Sequence, residues 1–233
     1  MTFPSYKKAK LKLDGNHFGG TIPTEIGNLS NCGFLSLQGL TNIQGRLPSE
    51  IGRLSTLIGL YLSGSSLTGP IPSEVGITHL GYLKLSAVTF TGSLPSEIWS
   101  LTKLQEFDLS DMPFAAPDAT SSARFVGGII PTSVAMIPDL RDLRLRNAGM
   151  VGTIPKELGL LTNLNTVWLH GNGFEGNIPD EVCALRGPVG LGELSADCAI
   201  SPMNPDDATV SCPADCCTAC CSGEDPTTCD GPD

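Results

Sequence analysis

The sequence predicts an α/β fold: a right-handed solenoid, or horseshoe, with a parallel concave β-sheet and a disulfide-rich C-terminal cap. Three observations predict it. A Gly-x-(Ile/Leu)-Pro unit occurs seven times, with its proline at Pro23, Pro48, Pro72, Pro95, Pro131, Pro155 and Pro179, so the intervals are 25, 24, 23, 36, 24 and 24 residues. Apolar residues recur at i, i+3, i+6 and i+8 after the prolines, as in Leu54, Leu57, Leu60, Leu62 and in Leu161, Leu164, Val167, Leu169. Eight of the nine cysteines lie from residue 183 onward. Self-similarity at such a period is the signature of stacked repeats.

Each part of the unit has a physical role. The Leu-x-Leu pair alternates with period two, so both leucines face one side and the residue between them faces the other. Short strands recurring every 24 residues or so are too far apart for hairpins; they stack as parallel neighbours joined by return segments. The glycine allows tight backbone where coils stack. The proline holds its predecessor extended and opens a short helical turn, with Glu25, Glu50, Glu74 or Glu157 near the positive end of that turn. One coil leaves its apolar face bare, and stacking closes it.

At these residues the chain resembles the plant-type leucine-rich-repeat family. The resemblance is clearest in Leu11–Pro23 (LKLDGNHFGGTIP) and Val167–Pro179 (VWLHGNGFEGNIP) and covers roughly residues 10–186. It implies recognition outside the cell or at its surface, by receptor-like proteins, receptor-kinase ectodomains or inhibitors of cell-wall glycosidases. The ladder asparagine of the family survives only at Asn16 and Asn172. Ser65, Val88, Met112 and Ala148 replace it elsewhere, and the repeat around Leu40–Ile43 carries an extra residue. Buried asparagine normally satisfies backbone groups between coils, so its loss predicts irregular turns there.

Three segments follow: an N-terminal extension over 1–9, about seven repeats over 10–186 with an insertion near 115–126, and an acidic cysteine-rich cap over 187–233. The net charge of −10 belongs to the last of these, because residues 187–233 hold nine acidic residues and no Lys or Arg. The cap's cysteine clusters resemble those of leucine-rich-repeat proteins from diatoms and related microalgae. Cys183, Cys198, Cys212, Cys216, Cys217, Cys220, Cys221 and Cys229 are disulfide candidates. The alternative is a metal cluster around the C-x-x-C of Cys217 and Cys220. The tail holds no histidine, which favours disulfides, and no metal site or cofactor is assigned. Eight cysteines leave the connectivity open. Cys32 aligns with Leu57, Leu80, Leu104, Leu140 and Leu164 and reads as a buried core thiol.

The strand register places three columns on the concave face: Lys10, Phe34, Gly59, Tyr82, Glu106, Asp142, Thr166; then Lys12, Ser36, Tyr61, Lys84, Asp108, Arg144, Trp168; then Asp14, Gln38, Ser63, Ser86, Ser110, Arg146, His170. Ligand-binding candidates are Phe34, Tyr61, Tyr82 and Lys84 in one patch and Asp108, Arg144, Arg146, Trp168 and His170 in another. Aromatic residues and arginine dominate interface energetics, although Asp108 and Arg144 could equally form a simple cross-strand pair. Asn28-Leu29-Ser30 is a glycosylation sequon on the return segment.

No catalytic motif is visible, so the sequence points away from an enzyme. An acidic balance argues against nucleic acid, and no run of 18 apolar residues spans a membrane. The expected function is recognition of a protein, peptide or glycan in an extracellular or cell-surface setting, as part of a receptor-like protein. The alternatives are a soluble inhibitor of a cell-wall glycosidase and a structural or adhesive wall protein. MTFPSYKKAK lacks a secretory h-region and a cysteine-bearing N-cap, which reads as a truncated start missing an N-terminal signal or anchor.

Overall fold

The computed structural model describes residues 8–77, 79–112, 125–186, 190–197, 216–221 and 229–230. Its spine is a sheet whose strands follow in chain order: β1 (Ala9–Lys12), β2 (Cys32–Ser36), β3 (Gly59–Tyr61), β4 (Tyr82–Lys84), β5 (Glu106–Asp108), β6 (Asp142–Arg144), β7 (Thr166–Trp168), β8 (Glu193–Asp197), β9 (Ala219–Cys221) and β10 (Cys229–Asp230). Neighbours from β1 to β9 are parallel; β10 runs antiparallel to β9. The order never crosses over, which is what one strand per coil requires.

From β2 to β8 each strand turns one large apolar side chain inward, in most of them leucine. Leu35, Leu60, Leu83, Phe107, Leu143, Val167 and Leu194 occupy successive coils at 0 % exposure. Burying such a side chain contributes about 1.5–3 kcal/mol, so the column accounts for much of the driving force for stacking. Cys32 is also buried (3 %) and free, and burial raises its thiol pKa. After each of the first six prolines comes one 3₁₀ turn, as at Thr24–Asn28, Ser49–Arg53, Ser96–Ser100 and Lys156–Leu160, and after Pro179 a short α-helix, Asp180–Cys183. These turns close through the proline carbonyl, for example Ile51 N–H to Pro48 O at 3.1 Å.

The glycine of every Gly-x-(Ile/Leu)-Pro unit has positive φ, from +77° at Gly69 to +94° at Gly20. Repetition of glycine there is a backbone requirement. A second left-handed column follows the strands: Gly15, Gly39, Gly64, Ala87, Asp111, Asn147 and Gly171. Their amides donate across the coils, for example Gly39 N–H to Ser63 O, Gly64 N–H to Ser86 O and Ala87 N–H to Ser110 O, each at 2.9 Å. Turns that lack the asparagine therefore stay regular, contrary to the sequence expectation. Backbone hydrogen bonds carry the register, with Val88 and Ala148 at 0 % exposure and Met112 at 2 % in the asparagine's place.

Ala87 pays a steric cost in this column that Asn147 and Asp111 largely escape. Its φ is +53° and it is exposed, so no packing compensates. Ala87→Gly is expected to raise stability by about 0.5–1 kcal/mol, with glycine's unfolded-state entropy offsetting part of the relief. An unchanged or lower urea midpoint would count against strain at this turn.

One further position sets the spacing between coils. A Cβ on Gly27 would lie 2.7 Å from Glu50 O, on Gly76 2.6 Å from the Glu97 carbonyl carbon, and on Gly159 2.4 Å from Glu181 O. The equivalent residues in the other coils include Trp99 and Cys183. Trp99 is buried at 4 % with its ring edge-on to Phe107 at 5.7 Å. Cys183 ends the helix Asp180–Cys183 and forms a disulfide with Cys216.

Residues 193–197, assigned by sequence to the cap, continue the ladder. Leu191, Leu194 and Ala196 are buried, and β8 pairs with β7 in the register of the preceding coils. Cys216 and Cys217 are buried, and Cys217 is also disulfide-bonded. Cys220 and Cys221 lie in β9 and Cys229 in β10, while Cys198 and Cys212 lie outside the described residues. Most of the insertion lies outside them too. Its last two residues, Phe125–Val126, are part of the repeat body: they pair with Gly92–Ser93, and Phe125 is buried.

Candidate binding surface on the concave sheet

The register of the sheet aligns Lys10, Phe34, Gly59, Tyr82, Glu106, Asp142, Thr166 and Glu193 in one row. The next row is Lys12, Ser36, Tyr61, Lys84, Asp108, Arg144, Trp168 and Ser195. These are the outward columns that period-two alternation dictates. The face then divides into two patches.

The amino-terminal patch gathers Phe34, Tyr61, Tyr82 and Lys84. The Phe34 and Tyr82 rings stand 6.5 Å apart, the Lys84 ammonium is 5.9 Å from the centre of the Tyr61 ring, and Tyr82 Oη donates to Gln105 Oε1 at 3.2 Å. Burial, with the charge of Glu106 behind it, raises the Tyr61 pKa, so the phenol remains protonated.

At the centre, Glu106 accepts from Lys84 Nζ at 2.8 Å and from Arg144 Nη1, while Arg144 Nη2 reaches Asp142 Oδ1 at 3.4 Å. Arg144 is thus paired with Glu106 and Asp142. Asp108 instead accepts the Ser110 amide at 3.0 Å, bracing the end of its own strand. That takes its carboxylate into the turn.

The carboxy-terminal patch is built on Trp168. The guanidinium carbons of Arg144 and Arg146 lie 5.2 and 5.9 Å from the centre of the indole ring. Each such contact is worth about 0.5–2 kcal/mol, depending on desolvation. Arg146 is held from behind by Asp111, whose Oδ1 also accepts from Asn147 Nδ2 at 2.9 Å. Burial pushes the Asp111 pKa up, but hydrogen bonds from Arg146 and Asn147 outweigh it and bring the carboxyl below its ordinary value. Two cations therefore sit fixed over one aromatic ring.

His170 is not on this surface. It is 5 % exposed, with Nδ1 2.8 Å from Ser195 Oγ, because β8 closes over the end of its strand. Burial first and Arg146 second lower its pKa, against Asp197, Asp111 and Glu193. The imidazole is a neutral packing residue beneath the patch. Asn172, beside it, accepts from the amides of Ala148 (3.1 Å) and Met150 (3.0 Å) and donates to Leu145 O (2.8 Å) and Leu169 O (2.7 Å). Asp197 accepts the Gly171 and Asn172 amides at 2.8 and 3.1 Å. The cap thus braces the last turn, a role without a motif in the sequence. Asn28 is exposed at the end of a 3₁₀ turn, on the return side.

The Leucine Rich Repeat family model matches residues 9–29 and 163–185, the two stretches around the surviving asparagines. The chain thus carries leucine-rich repeats and is similar to plant receptor-like proteins that contain them. The leucine-rich-repeat chain is 30% identical over 149 residues to the receptor-like kinase TMK2 of Arabidopsis thaliana, covering 61% of this chain and 16% of the relative. Among solved structures it is similar to the ectodomain of the Arabidopsis membrane receptor kinase GASSHO1/SCHENGEN3 in complex with CASPARIAN STRIP INTEGRITY FACTOR 2. That match has 31% identity and a TM-score of 0.66, over 75% of this chain and 19% of that one. It is also similar to the Arabidopsis receptor kinase HAESA in complex with the peptide hormone IDA and the co-receptor SERK1, with 27% identity and a TM-score of 0.65, over 79% of this chain and 29% of that one. The repeats therefore span less than a third of the length of these relatives. No described helix is long and apolar enough to cross a membrane.

Proposed function

We propose that this leucine-rich-repeat chain is a noncatalytic recognition module of the receptor-like kind, working outside the cell or at its surface and binding a peptide or protein segment along the concave sheet. The observation that carries this reading is the Trp168 platform with Arg144 and Arg146 stacked on it. Its geometry is set before any ligand arrives: Glu106 and Asp142 hold one guanidinium, Asp111 the other, and β8 closes the edge. A ligand strand laid across the sheet would meet an aromatic face and two directed cations with little ordering cost. The relatives support the reading, since the HAESA structure contains a peptide hormone. The cap's disulfide fits an oxidising compartment.

The test is a screen of synthetic peptides against the purified chain by calorimetry, followed by Arg144→Ala and Trp168→Ala. Each substitution is expected to weaken the ligand found by roughly 30-fold, the loss typical of a hot-spot residue. Undiminished binding by both folded variants would overturn the assignment. Inhibition of a cell-wall glycosidase by the same chain, with no peptide bound, would favour the inhibitor reading instead.

A further inference from the structure

The amino-terminal end of the concave face holds a hollow of about 240 Å³ lined by Lys10, Lys12, Asp14, Phe34, Ser36, Gln38, Tyr61 and Lys84. We propose that it is a subsite for an acidic oligosaccharide, a chain of uronate sugars whose rings stack on Phe34 and Tyr61 while their carboxylates meet Lys10, Lys12 and Lys84. This rests on the reading above only in taking the concave face as open to ligand; it uses the first four strands of the sheet, which meet the Trp168 platform at Glu106, the shared partner of Lys84 and Arg144.

The first argument is the floor. Gly59 opens β3 and pairs with Phe34 and Tyr82 on either side, inside the sheet, where glycine costs stability and commonly marks a close approach. A Cβ there would lie 2.7 Å from Phe34 Cδ1, 2.9 Å from Tyr61 Cε2 and 3.0 Å from Tyr61 Oη. The missing side chain lets Tyr61 fold back over its own strand beside Phe34. Tyr82 stands next to them in the Phe34 row. Together these rings form a low aromatic floor of the type on which sugar rings stack.

The second argument is charge. The chain carries −10 overall, yet this hollow gathers three lysines. Among the described residues no carboxylate lies within ion-pair distance of Lys10 or Lys12. Lys10 Nζ is instead 5.0 Å from the centre of the Phe34 ring. The one acid of the hollow is engaged: Asp14 Oδ1 accepts from the Ser36 hydroxyl and from the Gln38 amide at 3.0 Å. Lys84 is aimed by Glu106. A cluster of cations on an acidic protein raises the local concentration of anions. Its rim also carries an amide and a hydroxyl, Gln38 and Ser36, at 3.2 Å from each other, which suit the hydroxyls of a sugar.

The experiment is calorimetric titration of the whole chain at low salt with three probes: an oligogalacturonate, a cello-oligosaccharide of the same length, and polyglutamate. Oligogalacturonate is expected to bind, and both comparison probes to bind at least about tenfold more weakly, since each offers only one of stacking and charge. The double variant Lys10→Gln/Lys12→Gln and the single variants Tyr61→Ala and Tyr61→Leu are each expected to lose about tenfold, while Lys156→Gln, an exposed lysine on the 3₁₀ turn Lys156–Leu160, leaves affinity unchanged. Tyr61→Leu keeps the apolar bulk and so separates ring stacking from packing. No binding of oligogalacturonate, equal binding of polyglutamate or of the neutral sugar, or indifference to Tyr61→Leu would overturn the proposal. Because the peptide titrations read the loss of Trp168 and the sugar titrations read the loss of Tyr61, Lys10 and Lys12, the two readings fail separately.

Discussion

Phe107→Ala is expected to lower the unfolding free energy by about 3–5 kcal/mol, more than any other single core truncation proposed for this chain. Phe107 is the inward residue of β5, fully buried, in a column otherwise made of Leu35, Leu60, Leu83, Leu143, Val167 and Leu194. Its extra volume is matched by Trp99, the residue that replaces glycine at the spacing position of the same coil. Truncation to alanine would remove the ring and orphan the Trp99 edge, and neither neighbouring coil can collapse inward without breaking sheet register. Phe107→Leu restores the side chain common in the column and should cost only about 1–2 kcal/mol, because a smaller void is left. In a stacked array a central defect also weakens coupling between the two halves, so the urea transition of Phe107→Ala should broaden as well as shift. A loss below about 1 kcal/mol for the alanine variant would mean that the coil repacks, and that Trp99 and Phe107 are not the pair that holds it.

Most of the architecture was legible because the period is redundant. Leu60 and Leu83 announce their strand register, and the outward columns match the pairing from Lys10 to Trp168 residue for residue. What escaped was set between coils. Asp108 stands in an outward position, yet its carboxylate turns to the Ser110 amide, while Glu106 becomes the hub for Lys84 and Arg144. A list of alternating positions cannot weigh a local turn against a cross-strand partner. His170 is outward by alternation and buried in fact, because the next coil lies on top of it. That coil had been hidden: Leu191, Leu194 and Ala196 keep the last spacings of the ladder, but three more residues separate Leu194 from Pro179 than separate Val167 from Pro155. The missing asparagines pointed to irregular turns, and the backbone amides of the left-handed column supply the same register without them.

Removing the Cys183–Cys216 bridge is expected to cost about 3–4 kcal/mol, as the loop-closure entropy of a 33-residue separation implies. The double variant Cys183→Ser/Cys216→Ser is the clean test, since a reductant would open other bridges too. The position explains the magnitude. Cys183 occupies the site at which Gly27, Gly76 and Gly159 meet the following coil, so in the last regular coil a stacking contact is replaced by a covalent bond to the closing segment. Without it the described part of that segment is tied to the last coils by the Arg186 Nη1 to Cys216 O bond at 2.9 Å, the exchange between Leu194 and Thr218 and the β8–β9 pairing, with Cys217 held in a bridge of its own. The loss should therefore be local at first. Amides of residues 193–197 should exchange at least tenfold faster, while those of β3–β5 keep their protection. The effect should then reach the binding patch: once β8 loosens, Ser195 releases His170 and Asp197 releases the Gly171 and Asn172 amides, which brace the strand end carrying Trp168. Peptide affinity should fall even though no concave residue has changed. Uniform acceleration of exchange across the sheet, or unchanged exchange at 193–197, would show that the cap is not held by this bond.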